Sequence, residues 1–148
     1  MTAFRFPLDR VLDWRRLQLR AEEEKLAALQ RRLDAINHHI SALGSAELKH
    51  EWSLRKLPAV GGEELHALSA FQARSKKQRA ALTLERQKFE AQVEAQRARL
   101  LKARRDCRAL EKLKERRQEA WCYLRDREIE NNAADAHLAK LIRARGEE

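Results

Sequence analysis

In 148 residues, 37% are charged and only 5% aromatic, with four glycines and two prolines, a composition suited to helices and too thin in bulky groups for a compact core. An all-α, elongated helical rod is therefore expected. The excess of 32 basic over 23 acidic residues, net +9, permits nucleic acid, an anionic membrane surface or an acidic protein as partner, while the absence of a signal-length apolar core in Met1 to Arg10 and of any eighteen-residue apolar run argues against a secretory leader and a membrane span.

Pro7 suits a first helical turn, where its missing N–H would have no partner, and Asp9 and Asp13 complement the positive helix end, so a first helix is expected to begin near Pro7. Within it Leu12, Leu19, Leu26, Leu33 and Ile40 recur every seven residues, flanked by Leu8, Leu29, Ile36 and Leu43. A 3.5-residue repeat is a coiled-coil seam and requires a partner helix. The seam is read as weakening at Gly44 and Ser45 and resuming at Leu48, Trp52 and Leu54, before the one clear turn, Leu57 to Gly62, which contains Pro58.

Glu63 and Glu64 then mark a second helix start, and Leu65, Leu68, Phe71, Leu82, Phe89, Val93, Leu100, Cys107, Leu110, Trp121, Leu124 and Leu138 mostly hold a heptad register. No proline follows Pro58, and no glycine intervenes between Gly62 and Gly146, so nothing breaks this helix for about eighty residues, roughly 120 Å. Gln72, Ser75, Arg79, Arg86, Gln96, Lys114 and Arg117 fall on its core positions, as in seams that trade stability for register control or a second partner. The short turn makes the helices antiparallel neighbours in a two-helix coiled-coil hairpin. One coiled-coil domain over 1–148 is expected, with helix one over about 7–56, the turn over about 57–62 and helix two over about 63–144. Helix one would cover helix two only to about residue 112, leaving Trp121, Leu124 and Leu138 exposed for a partner; Trp14 and Trp52 are read as seam residues.

Cys107 and Cys122 lie fifteen residues apart on one helix, roughly 22 Å, too far to bridge, so a reduced cytosolic setting is expected. From Arg97 to Arg117 ten Lys or Arg stand against three acids, and this stretch alone carries +7 of the net +9. It reads as a solvated face with i,i+4 pairs to Glu111 and Glu115, as a contact for an acidic protein surface, or as a phosphate-binding strip lacking aromatics between Phe89 and Trp121 to stack on bases. Enzymatic chemistry has no foothold: the chain lacks a Gly-rich phosphate loop, CxxC, HExxH and a nucleophile elbow, and adjacent His38 and His39 diverge by about 100° on a helix, too far to chelate one metal. Neither cofactor nor small-molecule ligand is expected.

The opening Phe4-Arg5-Phe6-Pro7-Leu8-Asp9-Arg10-Val11-Leu12-Asp13-Trp14-Arg15 resembles the start of the FliJ family, of the form F-x-F-x-L-x-x-V-L-x-x-R. Leu110-Glu111-Lys112-Leu113-Lys114-Glu115-Arg116-Arg117, followed by Trp121, is similar to the family's L-E-K-L-K-E-R-R stretch with an aromatic four residues on. Order, separation, length and the central turn also agree. After Asp126 the chain departs from the family's E-Q-K-x-x-D-E pattern, having Glu130-Asn131-Asn132-Ala133-Ala134-Asp135-Ala136.

The resemblance implies an antiparallel coiled coil of the flagellar type III export apparatus, cytoplasmic and peripheral to the inner face of the cell membrane at the flagellar base. Such proteins resemble the stalk of rotary ATPases, enter the export ATPase hexamer, promote its assembly, contact the export gate and export chaperones, and have been called general chaperones. On this view Phe4, Phe6, Leu8, Leu12, Leu110, Leu113, Arg116, Arg117 and Trp121 form the ATPase-facing end, and Leu19, Leu26, Leu29, Leu33, Ile36, Ile40, Leu82, Phe89, Val93 and Leu100 the seam. Two alternatives stay open: the equivalent stalk of a virulence secretion system, and a basic hairpin that binds nucleic acid.

Overall fold

The computed structural model describes residues 3–57 and 59–146; Pro58, the centre of the expected turn, lies outside them. Helix α1 spans Asp9–Arg55 and α2 spans Gly62–Gly146, and no strand occurs among the described residues. The fold is an antiparallel two-helix coiled-coil hairpin.

Local chemistry fixes the helix ends. Phe6 is followed by a tight turn in which the Asp9 amide donates to the Phe6 carbonyl at 3.2 Å, so Pro7 precedes α1 and Asp9 places a carboxylate in its first turn. At the other end, the Lys56 and Leu57 amides donate to the Ser53 and Leu54 carbonyls, tightening the last turn into an i→i+3 pattern. Gly61 then caps α2. Its carbonyl accepts from the Leu65 amide and its N–H donates back to the Glu64 carboxylate, the reciprocal half of a capping box.

The chain divides into two compact units: residues up to Leu19 with those from Ala103 onward, and Arg20–Lys102. Each helix contributes a segment to each. In the second unit Ile36, Val93 and Leu100 are buried, and Leu26, Leu29, Leu33, Ile40, Leu82 and Phe89 are half-buried around them. Two of the expected polar seam positions lie in this core. Gln96 is buried and its amide nitrogen donates to both the backbone carbonyl, at 3.2 Å, and the carboxylate of Glu22, so neither amide proton is wasted. Ser75 is 2% exposed, and its hydroxyl has no hydrogen-bond partner among the described residues.

Beyond Leu43 the seam departs from the expected one. Leu48 is 68% and Trp52 62% exposed, whereas Glu47, Glu51 and Leu54 are half-buried. The three-four spacing runs on through Ile40, Leu43, Glu47, Glu51 and Leu54, and the polar side chains are accommodated because α2 supplies donors: Arg79 to Glu47 at 3.0 Å and Gln72 to Glu51 at 3.1 Å. Trp52 is therefore a surface residue with the Lys56 ammonium 5.6 Å from its ring, and Trp14, half exposed beneath Arg15, is not a seam residue either. On α2, Leu65, Leu124 and Leu138 are exposed.

Candidate functional site

In the first unit the segment ahead of α1 lies along α2. Phe6 is 4% exposed and Leu12 1%, with Cys107 buried on α2 and Leu8, Leu19, Leu110 and Leu113 half-buried around them. Phe6 enters because Pro7 and the following turn aim the chain back across α2; its ring is then enclosed by cations, Arg117 Cζ at 5.8 Å and Lys114 Nζ at 6.0 Å. Lys114 Nζ also donates to Asp9 Oδ1 at 2.7 Å, tying the aromatic anchor to the helix start.

Phe4 reaches further. Its ring meets Trp121 at 6.0 Å with the planes tilted by 52°, within the separation of favourable aromatic pairs. Trp121 is thus half-buried rather than beyond the reach of the first segment. The five residues before Asp9, two of them in the turn, thus reach along the seven α2 residues from Lys114 to Trp121, roughly 10 Å at 1.5 Å per helical residue. On its other side Trp121 carries the Arg125 guanidinium at 5.2 Å; hydrogen bonding to Asp126 at 2.7 and 2.9 Å holds Arg125 above its ordinary pKa. Ala3, Phe4, Arg5, Arg117, Ala120, Trp121 and Leu124 line an open groove here, aromatic at its base and cationic along its rim.

Ion pairs fix the register. Arg15 meets Asp106 at 3.2 Å, and Arg16 donates through Nε and Nη2 to one oxygen of Glu111 at 3.4 and 3.1 Å, which raises the Arg16 pKa. Glu111 also receives Arg108 at 3.8 Å and the Cys107 thiol at 3.9 Å.

The nine residues expected at the interaction end therefore all lie in this one unit, but they differ in kind. Phe6 and Leu12 are inside and serve as framework; Phe4, Leu8, Leu110, Leu113 and Trp121 are partly accessible; Arg116 and Arg117 stand exposed. The sequence expectation omits Val11 and Leu17 and places Trp14 in the seam, whereas all three are exposed on the outer face of α1; their three-residue spacing, off the heptad positions, is the available signal. The expectation also omits the Arg16–Glu111 and Lys114–Asp9 pairs, which join residues too far apart in sequence to signal each other.

The family model described as the flagellar FliJ protein matches residues 4–147. The chain belongs to the FliJ family. It is accordingly a protein associated with flagellar export. No curated protein and no solved structure matches it. In this FliJ-family chain both halves of the motif that carried the resemblance meet: Phe4, Phe6 and Asp9 of the first against Lys114, Arg117 and Trp121 of the second. Among the described residues no group of three or more His, Cys, Asp or Glu could hold a metal, both cysteines are free thiols, and no helix is long and apolar enough to cross a membrane.

Proposed function

We propose that this FliJ-family protein is a non-enzymatic stalk for the flagellar export ATPase: it enters the ATPase hexamer, supports its assembly and links it to the export gate membrane protein, at the inner face of the cell membrane. The meeting of the two family motifs in one unit, with Arg116 and Arg117 exposed beside the Phe4–Trp121 pair, supports this reading most directly. Buried Phe6 and Leu12 stiffen the platform, and a cationic rim around partly exposed aromatics is suited to an acidic or polar ring lumen. Export chaperones are further partners on this reading, in keeping with a general chaperone role.

The test is co-purification with the cognate ATPase, together with its ATP hydrolysis rate. Arg116→Glu with Arg117→Glu and Trp121→Ala should reduce both capture and stimulation at least tenfold, as expected when about 1.4 kcal/mol or more of interface energy is lost. Arg20→Glu on exposed α1 is the control. Undiminished capture of the triple variant would refute the assignment of this end.

A further inference from the structure

The α2 seam outlasts its partner. Its three-four register passes through Val93, Gln96, Leu100, Ala103, Cys107, Leu110, Lys114 and Trp121, each buried or half-buried. Continued, the same register places Leu124, Glu128, Asn131, Asp135, Leu138, Ile142 and Arg145 on one stripe. From Asp126 through Arg143 every described side chain is exposed, and Leu124, Leu138 and Ile142 are more than half so. A lone helix has no use for leucine and isoleucine at seam spacing, since water is poorer company for them than another helix.

Charge identifies the partner. Residues 125–135 hold four acids, Asp126, Glu128, Glu130 and Asp135, against two arginines, of which Arg125 is already paired with Asp126 at 2.7 Å. Residues 136–146 hold Lys140, Arg143 and Arg145 and no acid. Such a segment is complementary to itself reversed. We propose that the stretch from Leu124 to Arg145 docks on the same stretch of a second copy, antiparallel and two-fold symmetric.

In that arrangement Leu124 layers against Ile142 of the second copy, Glu128 against Leu138 and Asn131 against Asp135 of the second copy, while Asp126 stands opposite Lys140 and the acids at 126–130 face the segment 136–140. The pairing occurs twice because the interface is isologous. The parallel alternative stacks Glu128 on Glu128, Asp135 on Asp135 and Arg145 on Arg145, three like-charge layers, and is disfavoured. The surface adjoins the groove of Phe4, Arg117 and Trp121 at Leu124 alone, and the proposal does not depend on the ATPase reading.

Sedimentation equilibrium of the full chain, from micromolar to near-millimolar, should show a reversible monomer–dimer exchange that weakens with salt. Glu128→Lys with Glu130→Lys and Asp135→Lys leaves Asp126 as the one acid between Leu124 and Arg145; Lys140→Glu with Arg143→Glu and Arg145→Glu leaves a tail richer in acid. Each variant alone should dimerise at least about tenfold more weakly, and an equimolar mixture of the two should recover the dimer. These positions are exposed, and circular dichroism checks that the hairpin is intact in both. Orientation is read from disulfide trapping in a Cys122→Ser background: Leu124→Cys should cross-link to Ile142→Cys in a mixture and not to itself. A monomer throughout the range, a dimer indifferent to both charge variants as whole-helix exchange would give, or self-cross-linking at 124 would each overturn the proposal.

Discussion

Ser75 and Glu22 show how one seam tolerates polar groups in opposite ways. The Ser75 hydroxyl is buried without a partner and costs desolvation energy, so Ser75→Ala, which also gains helix propensity, should raise stability by about 1 kcal/mol in chemical denaturation. Gly44 is the second such point: beyond its own stretch of helix nothing lies within 4 Å of where its Cβ would sit, and no described glycine has a positive φ, so Gly44→Ala should add about 0.5–1 kcal/mol in the same assay. Glu22 is satisfied instead. Hydrogen bonds, from Lys25 first and from Gln96 second, hold its carboxyl below the ordinary carboxylate range. A depressed folded-state pKa contributes stability that is fully present above the unfolded carboxylate value and lost as pH falls through the folded one. Carbon-detected titration of Glu22 should therefore give a midpoint below a free glutamate's, and Gln96→Ala should move that midpoint upward.

The segment 3–8 and α1 illustrate what periodicity discloses and what it conceals. The heptads from Leu12 to Ile40 repeat in leucine and isoleucine, so seam and antiparallel pairing were legible in the bare sequence. Past Leu43 the reading followed apolar identity to Leu48 and Trp52, while the helix kept its phase through Glu47 and Glu51; the donors that make those acids acceptable, Arg79 and Gln72, sit on the other helix and leave no local trace. Trp121 departs from expectation for a different reason: helical pairing alone ends the cover near residue 112, and the segment before Asp9, which extends it, is not helical. Its hold on Trp121 is a checkable contact. In a Trp14→Phe, Trp52→Phe background, leaving Trp121 as the sole reporter, Phe4→Ala should shift its emission to the red and raise its quenching by iodide. An unchanged spectrum would mean that Phe4 does not cover the indole in solution.

Burial along the chain is sparse and unevenly spread, which sets how its stability is distributed. Phe6, Leu12 and Cys107 are buried in one unit and Ile36, Val93 and Leu100 in the other, whereas between Leu43 and Leu82 the only described side chain that is fully buried is Ser75. A coiled coil holds itself together layer by layer, so local opening follows the local count of buried apolar groups. Amide hydrogen exchange should therefore be slowest around Leu12 and Cys107 and around Ile36, Val93 and Leu100. It should quicken across residues 44–56 and 62–79, where Glu47, Glu51 and Gln72 replace leucines in the seam. From Tyr123 to Arg143 at micromolar concentration there should be little protection, since a helix with no covered face relies on propensity alone, and Asn131-Asn132 lower it further. Raising the concentration should protect that last stretch selectively if it has found its second copy. Uniform protection along both helices would instead mean that the hairpin opens as one cooperative body, and that the polar layers cost it nothing.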